Sequence, residues 1–143
     1  MKNILVSKCL LGYPCRYDGK SVPCEDVIGL KDRYNLIPVC PEELGGLETP
    51  RIPAEIIGGR AIRRDGVDVT AQYTLGAKLA LTYARENGCS IAILKSKSPS
   101  CGKDRIYDGT FTRTLTNGDG IAARLLMSKG IDILDESEIY KLK

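Results

Sequence analysis

Apolar residues come in short, separated runs along this chain. Ile4, Leu5 and Val6 form the first run, and Leu36, Ile37 and Val39 the second. Ile91, Ala92, Ile93 and Leu94 form a third, and Ile131, Ile133 and Leu134 the last. Each run is bounded by glycine, proline or charged residues, which predicts four short buried strands. Pro38 weakens the second, because proline donates no hydrogen bond to a ladder. Between the runs the spacing changes. Tyr73, Ala77, Ala80, Leu81 and Ala84 recur at three and four residues, predicting a helix from Thr70 as its cap to Asn87, stopped by Gly88. A shorter helix is expected over 119–129, capped by Asp119 and closed by Gly130. Others are expected over 25–33, with Val27, Ile28 and Leu30 inward, and over 136–142. Residues 55–69 read as a polar hairpin turning at Asp65-Gly66, and 109–118 as a small hairpin or extended loop. Residues 41–53 and 95–105 read as loops.

Short apolar strands alternating with helices predict an α/β fold. The expected architecture is a mostly parallel sheet flanked by helices, Rossmann-like, with a small hairpin insertion. The 143 residues fit one domain spanning 1–143. A domain of that size buries about two thirds of its unfolded surface. It can fold without a disulfide or a metal.

Composition narrows the chemistry. Hydrophobic residues at 43% and charged residues at 27% are ordinary globular usage, so disorder is not expected. A net charge of +3 is too small to indicate nucleic acid without a clustered basic face. Seven Tyr and one Phe, with no basic stripe interleaved among them, make a nucleic-acid partner unlikely. There is no histidine. That removes the usual general base, the usual nitrogen ligand of zinc and every triad built on imidazole. The first apolar run is too short for a signal-peptide core, and no apolar stretch approaches a membrane span. A cytoplasmic, reducing setting without a membrane partner is therefore expected. There, six cysteines suggest metal binding or reactivity before disulfides.

Cys9, Cys40 and Cys101 each follow the carboxyl end of an expected strand. In open α/β sheets that edge is where ligands bind, so three loops carrying one thiol each can converge there. Cys89 precedes its strand at the opposite edge and reads as a packing residue. Cys15 and Cys24 lie in the first loop, and packing is the favoured reading for both. Structural zinc takes four ligands, and here there is neither a C-x-x-C pair nor a histidine to complete the set. A cubane iron–sulfur cluster accepts scattered single cysteines and can be held by three of them. Three ligands leave one iron open as a Lewis acid for a substrate atom. The basic loop residues Lys95, Lys97, Lys103 and Arg105 suit an anionic guest, or simply solvate the surface.

Longer motifs surround these thiols. They are Ser7-Lys8-Cys9-Leu10-Leu11-Gly12 with Arg16-Tyr17-Asp18-Gly19, and Pro38-Val39-Cys40-Pro41-Glu42 with Gly45-Gly46-Leu47. Pro50-Arg51-Ile52-Pro53-Ala54-Glu55 follows, and then Ser98-Pro99-Ser100-Cys101-Gly102. In this order they resemble the thiouracil-desulfidase-like family, long catalogued as domain of unknown function 523, over nearly the whole chain. The resemblance implies an oxygen-sensitive [4Fe-4S] cluster with three protein ligands, Cys9, Cys40 and Cys101, and one open iron. It implies removal of sulfur from thiouracil by water, giving uracil and hydrogen sulfide without net redox. It places the acid/base carboxylate on Glu42 and a catalytic serine on Ser98, with Ser100 as the other candidate.

The residues support such chemistry directly. A thiocarbonyl sulfur is soft and prefers iron to water. With no histidine present, Glu42, two residues past Cys40, is the obvious base for the attacking water. Arg51 and Lys97 are candidates to bind substrate oxygens. Gly45, Gly46 and Gly102 are expected to let backbone approach the cluster. The expected partner is a small thiolated base or nucleoside. The alternative is a non-catalytic zinc-binding or redox-sensing module built on Cys9 and Cys15 with Cys24 or Cys40. A third reading is metal-free sulfur transfer through a single cysteine persulfide.

Overall fold

A computed structural model of the chain describes residues 1–142; Lys143, the last residue of the expected domain, lies outside the described residues. In chain order the elements are β1 (Lys2–Ser7), α1 (Glu25–Ile28), β2 (Tyr34–Val39), α2 (Pro41–Leu44), β3 (Ala54–Ile57), β4 (Arg60–Arg63) and α3 (Thr70–Glu86). They continue with β5 (Ile91–Ile93), β6 (Arg105–Tyr107), β7 (Leu115–Asn117), α4 (Ile121–Ser128) and β8 (Asp132–Leu134). Single 3-10 turns follow β1, α1 and the last strand.

The four expected strands form one parallel sheet in the order β2-β1-β5-β8. This is the α/β architecture that the alternation predicted. β1 sits inside and alternates its faces. Leu5 points with Ala92, Leu94 and Ile133 into a core closed by α3 and α4 through Leu81, Ala84, Ala123 and Leu126. Ile4 and Val6 point with Ile93 into a second core, closed by Leu10, Cys15 and Val27 of the first loop and α1. Pro38 is accommodated because β2 is an edge strand that pairs only with β1. From β1 the chain leaves toward β2, whereas β5 lies on the other side of β1. The carboxyl ends of β1 and β5 therefore flank a point where strand order reverses.

Several local expectations are corrected. The hairpin inside 55–69 pairs β3 with β4 about Gly58-Gly59, both at positive φ, as two-residue hairpin turns require. The expected Asp65-Gly66 turn follows as a second one, with Arg63 N–H bonded to Val67 O at 2.8 Å. A second hairpin joins β6 to β7, so its first strand lies before the expected 109–118 segment and its second strand inside it. The first turn after Cys40 is helical. Asp119 does not cap α4; its carboxylate accepts from Asp104 N–H at 2.8 Å, and Gly120 holds the cap position. Only one 3-10 turn, Ile139–Lys141, forms in the expected terminal helix. Among the described residues no helix is long and apolar enough to cross a membrane.

Gly45 approaches helix α3 and not the thiols. A Cβ there would sit 2.0 Å from Gln72 O, and one on Gly76 would sit 1.8 Å from Pro41 O. The backbones of α2 and α3 therefore touch, and this contact sets the height of Glu42 above the sheet. Gly76→Ala should lower stability by about 1–3 kcal/mol, because the added methyl forces two helices apart. That gap exceeds the gain in helix propensity, and denaturant titration of the two proteins measures it.

A candidate thiol-lined active site

The thiol loops meet above the carboxyl edge of the sheet. The loop after β1 brings Cys9 and Cys15, the start of α2 brings Cys40 and Glu42, and the loop after β5 brings Ser98, Ser100 and Cys101. All of these line one cavity of about 340 Å³. The three cysteines expected from the strand ends are thus brought together. Cys89 packs in the hydrophobic core, as expected. Cys24 packs half-buried against the other core, at the cap of α1.

The loop carrying Cys101 is held from both sides. Ser98 Oγ accepts the N–H groups of Ser100 and Cys101 at 3.1 and 3.0 Å, closing a serine turn. The carbonyls of Pro99 and Ser100 in turn accept the first N–H groups of α4, from Ile121, Ala122 and Ala123. Helix α4 has no side-chain cap, so this loop supplies the acceptors its start needs. The sequence spacing could not reveal that exchange.

Glu42 is the most heavily held side chain of the site. Its Oε1 accepts from Arg51 Nε at 3.0 Å and its Oε2 from Ser100 Oγ at 2.9 Å. Tyr73, only 2% exposed at the start of α3, also bonds to it. Burial and the Glu42 charge push the Tyr73 phenol well above its usual range, so it stays a donor. Sequence reasoning missed Tyr73, which reads there only as the first apolar position of a helix face. Arg51 lines the cavity, but its guanidinium is engaged inside the protein. Besides Glu42 it donates to Glu48 O, Thr49 Oγ1 and Cys15 O. Ser100 is fully buried and links Glu42 to Ser98 Oγ at 3.0 Å and to Cys101 Sγ at 3.6 Å. Ser98 is the less buried of the two serines.

Lys97 is exposed at the rim, at φ 70°, with no ion pair among the described residues. The rest of the expected basic loop is partly neutralised. Lys95 pairs with Glu136 and Lys103 with Glu138, both at 2.9 Å.

Cys15 packs in the second core, as expected, and its thiol also lies beside other thiols of the site. Its thiol bonds to those of Cys40 and Cys9, and Cys40 Sγ lies 3.8 Å from Cys15 O. The bond to Cys40 favours the Cys15 thiolate, but the bond to Cys9, together with burial, outweighs it and holds the pKa up. Cys40 is also pushed up, by its bond to Cys15 and by burial, against an N–H donated by Glu43. Burial raises Cys101 to about 12 despite the hydroxyls of Ser7 and Ser100, which favour its thiolate. Neighbouring thiols, of which Cys15, Cys40 and Cys101 hold their protons, are a donor set for a thiophilic metal, which must displace those protons on binding. Three scattered loops fit an iron–sulfur cluster better than a zinc knuckle.

Fold and site together define an α/β protein with a thiol-lined cavity at the switch point of its sheet. Residues 4–138 match the family described as 2-thiouracil desulfurase, and the chain belongs to that family. It is 43% identical to the uncharacterized protein YbbK of Bacillus subtilis (strain 168), over 95% of this chain and 97% of that protein. Among solved structures it is similar to the [4Fe-4S]-dependent thiouracil desulfidase TudS (DUF523Vcz). The TM-score is 0.92 at 42% identity, covering 99% of this chain and 95% of that one.

The raised thiols make the metal-free protein sensitive to alkali. An unfolded thiol loses its proton near about 8.5, whereas folded Cys101 keeps it to about 12. Between those values the folded state binds more protons, so stability is full below the lower value and falls as pH rises. Thermal melts of the metal-free protein should drop above pH ~9. The stability gap to Cys101→Ser should narrow over the same range.

Proposed function

We propose that this protein is a [4Fe-4S]-dependent desulfidase that exchanges the sulfur of a thiolated pyrimidine for a water oxygen. The carrying observation is that Cys9, Cys40 and Cys101, from three strand ends, share one cavity with Glu42. Water adds oxygen to the ring carbon, sulfur departs as hydrogen sulfide, and no electrons are exchanged. In this reading Cys9, Cys40 and Cys101 hold the cluster. When bound, the cluster supplies a Lewis-acidic iron with an affinity for soft sulfur.

The chain's own residues do the proton work. Glu42 takes the proton of the attacking water. Arg51, Tyr73 and Ser100 fix its two oxygens, so the carboxylate is aimed before substrate arrives. Ser100 donates to Glu42, which leaves Ser98 to face the substrate and pass a proton inward along the Ser98–Ser100–Glu42 row. That division accounts for both serines of the motif. Arg51 acts through Glu42 by positioning it. Lys97, at the rim, is the residue available to a substrate oxygen.

The cavity is larger than one pyrimidine ring. Its outer part is lined by Arg16, Arg64, Arg113 and Lys97, with Tyr107 and Phe111. That surrounding favours a substrate extended by a ribose and an anionic group over the free base. A small-molecule substrate and an oxygen-sensitive cluster agree with a reducing, cytoplasmic setting.

After anaerobic reconstitution, Glu42→Gln should keep the brown colour of the cluster while sulfide release falls by about 10²–10⁴-fold. Unchanged turnover would remove Glu42 from the mechanism. Across a panel of thiouracil, thiouridine and thiouridine monophosphate, kcat/KM should rise with the anionic group. Arg113→Ala should reduce that rise without changing turnover of the free base.

A further inference from the structure

Cys15 has no role in the desulfidase reading, yet it is 4% exposed and placed with care. Its N–H donates to Tyr13 O at 2.9 Å, and its carbonyl accepts from the Arg51 guanidinium at 2.9 Å. These bonds aim its thiol at the other cysteines. Cys15 Sγ, Cys40 Sγ and a carboxylate oxygen of Glu43 all lie within 4.8 Å of one another. The Cys9 thiol stands beside Cys15 in the same cavity but outside this group, so it reaches the ion as a fourth donor only by moving in. Cys101 is not part of this group.

The spacing suits one ion. Around a four-coordinate divalent ion, metal–sulfur bonds of about 2.3 Å and metal–oxygen bonds of about 2.0–2.2 Å put neighbouring donors roughly 3.5–3.8 Å apart. From a separation of at most 4.8 Å the three donors need to close by up to about 1.3 Å to reach it. Sulfur-rich donors select thiophilic ions such as zinc or ferrous iron over magnesium or calcium. Glu43 accepts from Thr49 Oγ1 at 2.8 Å through Oε2, and Lys8 stands 3.9 Å from its Oε1, the looser of its two contacts. Its backbone N–H already favours the Cys40 thiolate.

We propose that the cluster-free protein binds one thiophilic divalent ion through Cys15, Cys40 and Glu43, with Cys9 completing the shell, and that this ion excludes the cluster. Binding releases the thiol protons to solvent and involves no change of oxidation state. Exclusion follows because ion and cluster both claim Cys9 and Cys40; that clause alone rests on the cluster reading. Cys15 then gives the protein a state in which the ligand thiols of Cys9 and Cys40 are protected while no cluster is present.

The test uses full-length protein freed of metal by a chelator without oxygen, with cobalt(II) as the probe. One cobalt per chain should bind, with the near-ultraviolet sulfur-to-cobalt bands and strong visible bands of a tetrahedral thiolate site. Cys15→Ser should weaken binding by more than the about 10–100-fold that losing an outer-shell partner costs. Cys101→Ser should bind cobalt like the parent. Absence of cobalt binding, a weak pink oxygen-ligated spectrum, or equal loss in both variants would overturn the proposal. Should Cys15→Ser fail to fold by circular dichroism, the parent protein still decides. Protein preloaded with one zinc should stay colourless when given iron and sulfide until the zinc is chelated. A full-yield cluster formed beside retained zinc would defeat exclusion. If metal-free protein also forms no cluster, the desulfidase reading fails, and the cobalt titration still judges the ion site.

Discussion

The Glu42 carboxylate is the tie on which the site depends. A buried charge is costly unless it is paired and hydrogen-bonded. Here the charge is satisfied by groups from three separate parts of the chain: Arg51 beyond α2, Tyr73 at the head of α3 and Ser100 in the loop after β5. Arg51 also reaches Cys15 O in the loop after β1. One carboxylate therefore fastens all three thiol-bearing segments to each other. The sheet brings their strand ends to one edge, but parallel pairing alone leaves the loops free to splay. The close contact of Gly45 with α3 keeps Glu42 where those donors can reach it. Fold and proposed function are coupled at this point, because the carboxylate proposed as the base is also the acceptor that closes the cavity.

The parts of the structure legible in the sequence are those set by local pattern. The four apolar runs became the four parallel strands, since each is short, β-branched and bounded by turn residues. The cysteines at strand ends were legible because the carboxyl edge of such a sheet is a fixed address. What stayed hidden depends on tertiary contact. Tyr73 occupies a helix position whose spacing looks like core, and only the packing of α2 on α3 turns its hydroxyl onto Glu42. Cys15 lies in a loop with no periodicity, so nothing local distinguishes a packing thiol from one aimed at Cys40. Asp119 lost its capping role because the loop after β5 filled the acceptor positions first. The Gly58-Gly59 turn was a local signal of ordinary strength, overshadowed by Asp65-Gly66 a few residues on.

The thiols themselves carry a cost that the metal-free protein bears. Cys15, Cys40 and Cys101 all keep their protons beyond the usual thiol range, through burial and mutual hydrogen bonding. Such groups are poor nucleophiles at neutral pH. This argues against these three thiols as the nucleophile of the single-cysteine persulfide reading, which needs a thiolate ready to attack. It agrees with a role as ligands, where the metal supplies the driving force for deprotonation. The hydroxyls of Ser7 and Ser100 beside Cys101, and the N–H of Glu43 beside Cys40, are the donors a thiolate needs once the proton has gone. Protonated packing and ligated thiolate are thus two stable conditions of the same side chains.

The outer half of the cavity is built by different means. The segment between β6 and β7 carries Phe111 and Arg113 at positive φ, 57° and 61°, which costs backbone energy at non-glycine residues. Buried Glu55 holds it there by accepting the N–H groups of Gly109 and Phe111 at 2.9 and 3.1 Å. Arg64 stacks on the Phe111 ring from the β4 side. A second buried carboxylate therefore fastens the basic and aromatic mouth, as Glu42 fastens the thiol floor. Because the two carboxylates bind different segments, the mouth can vary its residues without loosening the ligand set. That separation divides the cavity into a thiol floor and a basic, aromatic mouth that carries Phe111, Arg113 and Lys97.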